Sequence, residues 1–297
     1  MLKDIDRGIL FMLLASLSFA FMGGFAKVVS MHLPGVEITF FRNIFGVAII
    51  GFSIYKFPLK QSGGRVSLLL FRGVMGFMAL LSYFYIIAYM PLGEVVTYNK
   101  TSPIFVAIFA YIFLGERLNL ISIFAIALGF TGIILIAQPF GGEFNIYDML
   151  GIFSGVGAAL AYTSIRELRR YYDTRAIVMS FMGVGTVAPL ILMAITPYID
   201  TPEELNFLFS EFVVPTDIEW LYLTLMGLSA TLSQYLMTKA YEYTKAGVVG
   251  TISYTNIVFA IVIGIFLGDS FPSLLTIFGI ILVITSGLLV AFSKENI

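Results

Sequence analysis

Long apolar runs separated by short polar or charged connections divide the chain from end to end. A helix rising about 1.5 Å per residue crosses about 30 Å of hydrocarbon in roughly 20 residues. Ten runs reach or approach that length: 9–31, 36–56, 67–89, 93–114, 119–138, 148–168, 175–196, 218–242, 246–266 and 273–293. In lipid every backbone polar group must be satisfied internally, and runs of this length do so as helices rather than barrel strands. The pattern predicts an all-α integral membrane protein of ten transmembrane helices. The first run, after Lys3 and Arg7, is too long for the apolar part of a signal peptide and lacks a small-residue cleavage site, so it reads as a retained helix.

The runs repeat. Phe113-Leu114-Gly115-Glu116 recurs as Phe266-Leu267-Gly268-Asp269, at an offset that is constant from Gly93 and Ala246 onward. Residues 8–15 resemble 151–158, Ala88-Tyr89 resembles Ala240-Tyr241 with one residue of slippage, and Tyr83 falls opposite Tyr235. Shared hydropathy does not explain a glycine followed by an acid at matching places, so the chain reads as a duplication with halves 1–140 and 141–297. If spans one to five match spans six to ten, the shift is an odd number of crossings and the halves lie in opposite orientations. Inverted helical repeats point towards transport.

Charge assigns the sides. Lys3, Arg7, Lys56, Lys60, Arg65, Arg117, Arg166, Arg169, Arg170, Arg175, Lys245 and Lys294 fall in the N-terminus, the even-numbered connections or the C-terminus. The odd-numbered connections carry Glu37, Glu94, Glu143, Asp148, the acids between 200 and 219, and Asp269. The positive-inside bias then places both termini in the cytoplasm. Thr201-Pro202-Glu203-Glu204 resembles a capped helix start and predicts a short outer-surface helix outside the bundle.

Composition agrees: 59% of residues are hydrophobic and 12% charged, against about a quarter charged in soluble domains, and mean hydropathy is +0.96. The chain has no cysteine and one histidine, His32, so disulfides and thiolate sites are excluded. It carries no Walker-type phosphate loop, metal-ligand cluster or serine-centred elbow, which argues against ATP-driven transport and enzyme activity. No cofactor, metal or nucleic-acid partner is expected.

These features together resemble the drug/metabolite transporter superfamily, and within it the bacterial EamA family. The carriers are the paired Phe-Leu-Gly-Glu/Asp segments, Pro103 in span four, Arg42 in span two, and Gly132 and Gly287 in spans five and ten. The resemblance implies two five-helix inverted repeats around a central pathway that opens alternately to either side. It further implies a multi-pass protein of the bacterial cytoplasmic membrane, with export favoured over import. Pro103 is the expected hinge; Asn256 stands where the second half would carry the matching proline, so helix breaking is less secure there.

Charges inside spans mark the substrate path, because an ionised side chain at the centre of a bilayer costs at least about 2.5 kcal/mol. Arg42 and Lys100 lie about two turns inside their helices, Arg72 about one turn, and Lys27 near the outer end of span one, where it can snorkel. With no acid equally deep, they suit a carboxylate or phosphate on the substrate, and a proton-exchanging acid for coupling is lacking. Tyr83, Tyr98, Ser102, Gln234, Tyr235, Tyr254 and Asn256 sit among polar neighbours in spans three, four, eight and nine and complete the candidate binding set, although helix packing explains such residues too. Glu116 and Asp269 read as helix-end acids with structural roles. The favoured function is a secondary carrier, a uniporter or exchanger, for a small anionic or zwitterionic metabolite such as an amino acid or nucleotide-like compound. The chain would work as a monomer or homodimer in the lipid bilayer. The rival is a membrane-embedded enzyme or accessory subunit that handles lipid-linked molecules, for which no interfacial catalytic cluster is seen.

Overall fold

The computed structural model describes all residues except 1, 60–62, 115–119, 138–143, 169, 201, 203, 204, 206, 244–251 and 294–297. Among the described residues the helices are α1 (Leu2–Val29), α2 (Gly35–Lys56), α3 (Val66–Ile86), α4 (Leu92–Asn99), α5 (Ser102–Leu114), α6 (Leu120–Ala137), α7 (Ile146–Leu168), α8 (Thr174–Ile195), α9 (Asp217–Tyr243), α10 (Thr255–Phe266) and α11 (Leu274–Ser293). A 3₁₀ turn, Thr196–Tyr198, extends α8.

Local chemistry starts and stops these helices. At the head of α7, Asn145 Oδ1 accepts from the N–H groups of Tyr147 and Asp148, while Asp148 Oδ2 accepts from Asn145 N at 3.0 Å. That reciprocal bonding is a capping box. Glu219 accepts from Thr216 N in the same way at the head of α9. The end of α10 carries a Schellman stop: Gly268 has φ +98°, its N–H reaches Ile265 O, and Asp269 N donates back to Gly264 O at 2.9 Å. A left-handed residue at that point explains the glycine of the Phe-Leu-Gly-Asp segment. Its first copy reaches into residues 115–119, outside the described set.

The helices pack in matched sets. α1 lies against α9 and α10, while α7 lies against α3, α4 and α5; α2 meets α8, α6 meets α11, and α4 meets α10. Between α6 and α11 the backbones touch: a Cβ on Gly132 would stand 2.8 Å from Gly279 O, and one on Gly279 2.7 Å from Gly132 O. Small residues permit this approach, and Ser286 adds a hydroxyl bond to Ala125 O at 2.6 Å. The interior is filled by Phe84, Leu92, Tyr98, Ile104 and Leu223, whereas Phe52, Leu120, Phe124 and Phe266 stand on the outside. Large apolar side chains on the outer surface suit a lipid solvent.

Among the described residues, five stretches are by themselves long and apolar enough to cross a membrane: Arg7–Val29, Gly35–Lys56, Val66–Ile86, Ile146–Ile165 and Arg175–Tyr198. The run expected as one span over 93–114 is two helices, α4 and α5, parted at Lys100 and Thr101. The predicted surface helix at 201–204 falls largely outside the described residues. Just beyond it, Phe207 and Leu208 pack against the bundle, and Val213 N donates to Glu37 Oε2 at 3.0 Å.

Candidate functional site

Two helix breaks lie at matching places in the two halves. Pro103 is the second residue of α5, where a proline needs no N–H. It also denies Asn99 O the donor that would have continued α4, and α4 stops at Asn99. Thr101 Oγ1 donates to Tyr98 O at 2.6 Å, and Ile104 N closes a turn onto Thr101 O at 2.9 Å. In the second half Ile257 N closes the corresponding turn onto Tyr254 O at 3.0 Å, immediately before α10. The chain thus breaks there without a proline. Thr255 Oγ1 occupies Ile252 O at 2.7 Å, and the Asn256 amide turns away to donate to Ser16 O of α1 at 2.8 Å. The breaks leave the N-termini of α5 and α10 inside the bundle, with Lys100 half-buried beside the first.

Arg42 of α2 and Arg72 of α3 converge on one aromatic ring, Phe181 of α8. Their guanidinium carbons lie 5.4 and 4.9 Å from its centroid. The residues are 4% and 7% exposed. Arg42 Nη1 donates to Asn43 Oδ1 at 3.0 Å, and Asn43 is held by Thr39 O and Gly185 O. Arg42 Nε and Arg72 Nε and Nη1 are buried without a hydrogen-bond partner. Neither guanidinium has a carboxylate partner among the described residues. The ring face attracts each cation, but a neutral ring supplies no counter-charge.

The other candidates divide. Tyr83 is buried, with its hydroxyl directed at Gly23 of α1. Tyr254 is buried with its hydroxyl unpartnered and its ring over Gly287. Ser102 is buried at the first position of α5, and Gln234 is half-buried on α9. Tyr98 is fully buried, and its hydroxyl donates to Asp148 Oδ1 at 2.7 Å. Tyr235 lies apart, 59% exposed on the outside of α9. Asn256 is engaged with α1, as described above.

At the end that the charge bias assigns to the outside, called the outer end below, several acids are buried rather than solvated. Glu37 is fully buried with Oε1 unpartnered. Both oxygens of Glu219 lie 3.0 Å from His32 Nδ1. Asp269 pairs with Lys27, which sequence had assigned to snorkelling. A cleft of about 440 Å³ opens here, lined by Met90, Pro91, Glu94, Tyr147, Asp148 and Phe271 among others. The opposite end carries the basic residues, with Arg175 donating to Phe57 O at 2.6 Å and Arg170 paired with Glu167. Helix ends look solvated in a sequence, and only the packing of neighbouring ends shows which acids are covered.

Comparison with known proteins gives a consistent result. Residues 6–138 and 145–292 each match the EamA-like transporter family. An uncharacterized transporter of Helicobacter pylori is 33% identical over 296 residues, covering 98% of this chain and 96% of its own. The pseudopaline exporter CntI of Pseudomonas aeruginosa is 32% identical over 294 residues, 98% of each chain. An S-adenosylmethionine uptake transporter of Rickettsia bellii is 23% identical over 301 residues, covering 99% of this chain and 97% of its own. One solved crystal structure shares the fold, with a TM-score of 0.58 over 98% of each chain at 18% identity.

Proposed function

Because the chain belongs to the EamA-like transporter family of the drug/metabolite transporter superfamily, we propose that it is a secondary carrier for a small anionic or zwitterionic organic metabolite, such as an amino acid or nucleotide-like compound. It is a multi-pass membrane protein of a family of transporters. It moves its substrate across the bacterial inner membrane by alternating access.

The Arg42–Phe181–Arg72 cluster carries this reading. Two buried guanidinium groups with orphaned nitrogens and, among the described residues, no acid paired with them are costly in an otherwise apolar bundle. An anionic group on the substrate supplies the missing charge and the missing acceptors, in the forked geometry that arginine favours. Lys100 and the N-termini of α5 and α10 add positive potential at the breaks, as in carriers built on discontinuous helices. Tyr83, Ser102, Gln234 and Tyr254 line the rest of the path; Tyr98 and Asn256 hold its walls, and Pro103 sets the hinge. Tyr235, at the surface, takes no part.

The inverted arrangement of halves 1–140 and 141–297 is supported by three observations. Each half matches the family separately. Swapping the halves exchanges the α1–α9 contact for the α3–α7 contact, and the α3–α8 contact for the α2–α9 contact. The paired turns before Ile104 and Ile257 stand at matching places. Cytoplasmic termini follow from the basic end of the bundle. The exporter is the more similar of the two relatives named for a direction, which favours export.

Thermal stabilisation of the purified protein by a library of amino acids, organic acids, nucleotides and vitamins tests the reading. A ligand that binds only the folded state stabilises it by about RT ln(1 + [L]/Kd), so weak substrates register at high concentration. Hits concentrated among carboxylates or phosphates support it. Hits confined to neutral or purely cationic compounds contradict it.

A further inference from the structure

We infer that Lys27 and Asp269 are positioning residues of the transport cycle: together they clasp the outer end of α4 and hold the outer side of the pathway shut. The inference rests on the alternating-access reading above but not on any particular substrate.

Lys27 lies in the last turn of α1, and Asp269 follows the Schellman stop of α10, 242 residues away in the chain. Lys27 Nζ pairs with Asp269 Oδ1, and the two side chains are each 11% exposed. Both have a second partner, and the two partners flank Pro91. Lys27 Nζ donates to Met90 O at 2.9 Å, and Asp269 Oδ2 accepts from Leu92 N at 2.8 Å. Pro91 is the N-cap residue of α4 and provides no side-chain cap. The first turn of α4 is therefore capped by an acid from the other half of the chain, placed where the helix dipole favours negative charge.

Gly268 makes this placement possible. Its left-handed backbone folds Asp269 back so that its N–H reaches Gly264 O and its carboxylate faces α4. The cleft at the outer end shares Met90 and Pro91 with the clasp and continues onto Ser270 and Phe271. At its other end α4 is tied to the second half as well, through Tyr98 and Asp148. A half-helix held at both ends by acids of the opposite half cannot separate from that half while the clasp is made. Opening the outer side between α4 and α10 requires parting the Asp269–Leu92 bond and one of the two bonds of Lys27, to Met90 O or to Asp269, in a mostly desolvated position.

The test uses the absence of natural cysteine, which makes one introduced thiol the sole target of a maleimide. Thr97→Cys places it on α4, fully buried and five residues inward from Leu92. A membrane-impermeant maleimide is added to intact cells, and separately from the cytoplasmic side in inverted vesicles. In the Thr97→Cys parent, labelling from outside should be slow, because the position is fully buried. Asp269→Asn or Lys27→Gln should accelerate it about tenfold, the size of change that loss of a charge-assisted bond produces. Lys27→Arg, which keeps both the charge and a donor for Met90 O, should label nearer the parental rate than the single neutral variants do. Unchanged labelling in neutral variants that melt like the parent overturns the inference. So does acceleration confined to the cytoplasmic side, or an arginine variant that labels as fast as the glutamine variant. Labelling requires no substrate, so its outcome is independent of whether Arg42 and Arg72 bind an anion.

Discussion

Tyr98 donates its hydroxyl to Asp148 Oδ1 across 2.7 Å, joining the inner part of α4 to the first turn of α7. The ring lies against Gly151, where a Cβ would come within 2.7 Å of Tyr98 Cδ2. The bond and the contact tie one side of the first helix break to α7.

Removing that hydroxyl should therefore weaken the fold rather than the recognition of substrate. Tyr98→Phe leaves a buried carboxylate oxygen of Asp148 without its partner, at a cost of about 1.5–3 kcal/mol. The melting temperature of the purified protein should fall, while the additional shift produced by a saturating ligand stays as in the parent. An unchanged melting temperature with a lost ligand shift would return Tyr98 to the binding set.

Arg42 and Arg72 should behave in the opposite way. Arg42→Gln or Arg72→Gln removes a buried, uncompensated charge, so the ligand-free protein should melt at the same temperature or higher. Affinity for the anionic substrate should drop at least tenfold, because a charge-assisted bond contributes about 1.5–3 kcal/mol. Titration of the thermal shift with ligand reads both quantities at once.

Gly268→Ala tests the turn that delivers Asp269. Its φ of +98° lies in the left-handed region, where a Cβ costs about 1–2 kcal/mol even though nothing crowds it in space. The variant should melt lower than the parent. It should also expose the Thr97→Cys thiol faster from outside, since Asp269 no longer sits firmly under Leu92.

Pro103→Ala tests the first helix break. Alanine restores an N–H to Asn99 O and permits α4 and α5 to run on as one helix. Equal or greater thermal stability with slower flux is expected. Parental flux would show that the turn at Thr101 persists without the proline.

How far these features were legible in the sequence depends on whether their cause is local. The break at Pro103 was legible because a proline removes one donor wherever it stands. The break at Tyr254 was not, because Asn256 has an N–H, and the side chains at the turn are engaged instead, Thr255 Oγ1 with Ile252 O and Asn256 with Ser16, two hundred and forty residues away. The repeated Phe-Leu-Gly-Asp segment was visible as a repeat, and Gly268 supplies its physical reason in a left-handed helix stop. Arg42 and Arg72 stood out as charges in apolar runs. Their meeting point did not, since Phe181 is one of 29 phenylalanines and carries no signal of its own. Lys27 and Asp269 each looked interfacial because each lies at a helix end. Only the packing of α1, α4 and α10 turns two such ends into a covered pair.

The most direct test of the central claim is counterflow in proteoliposomes. Vesicles preloaded with the metabolite that gives the largest thermal shift would be offered the radiolabelled compound outside, with no ion gradient imposed. The account predicts transient accumulation of label by the parent protein, abolished in the Arg42→Gln/Arg72→Gln double variant that still inserts and melts like a folded protein. Equal accumulation by the double variant, or uptake of neutral compounds in preference to anionic ones, would contradict it.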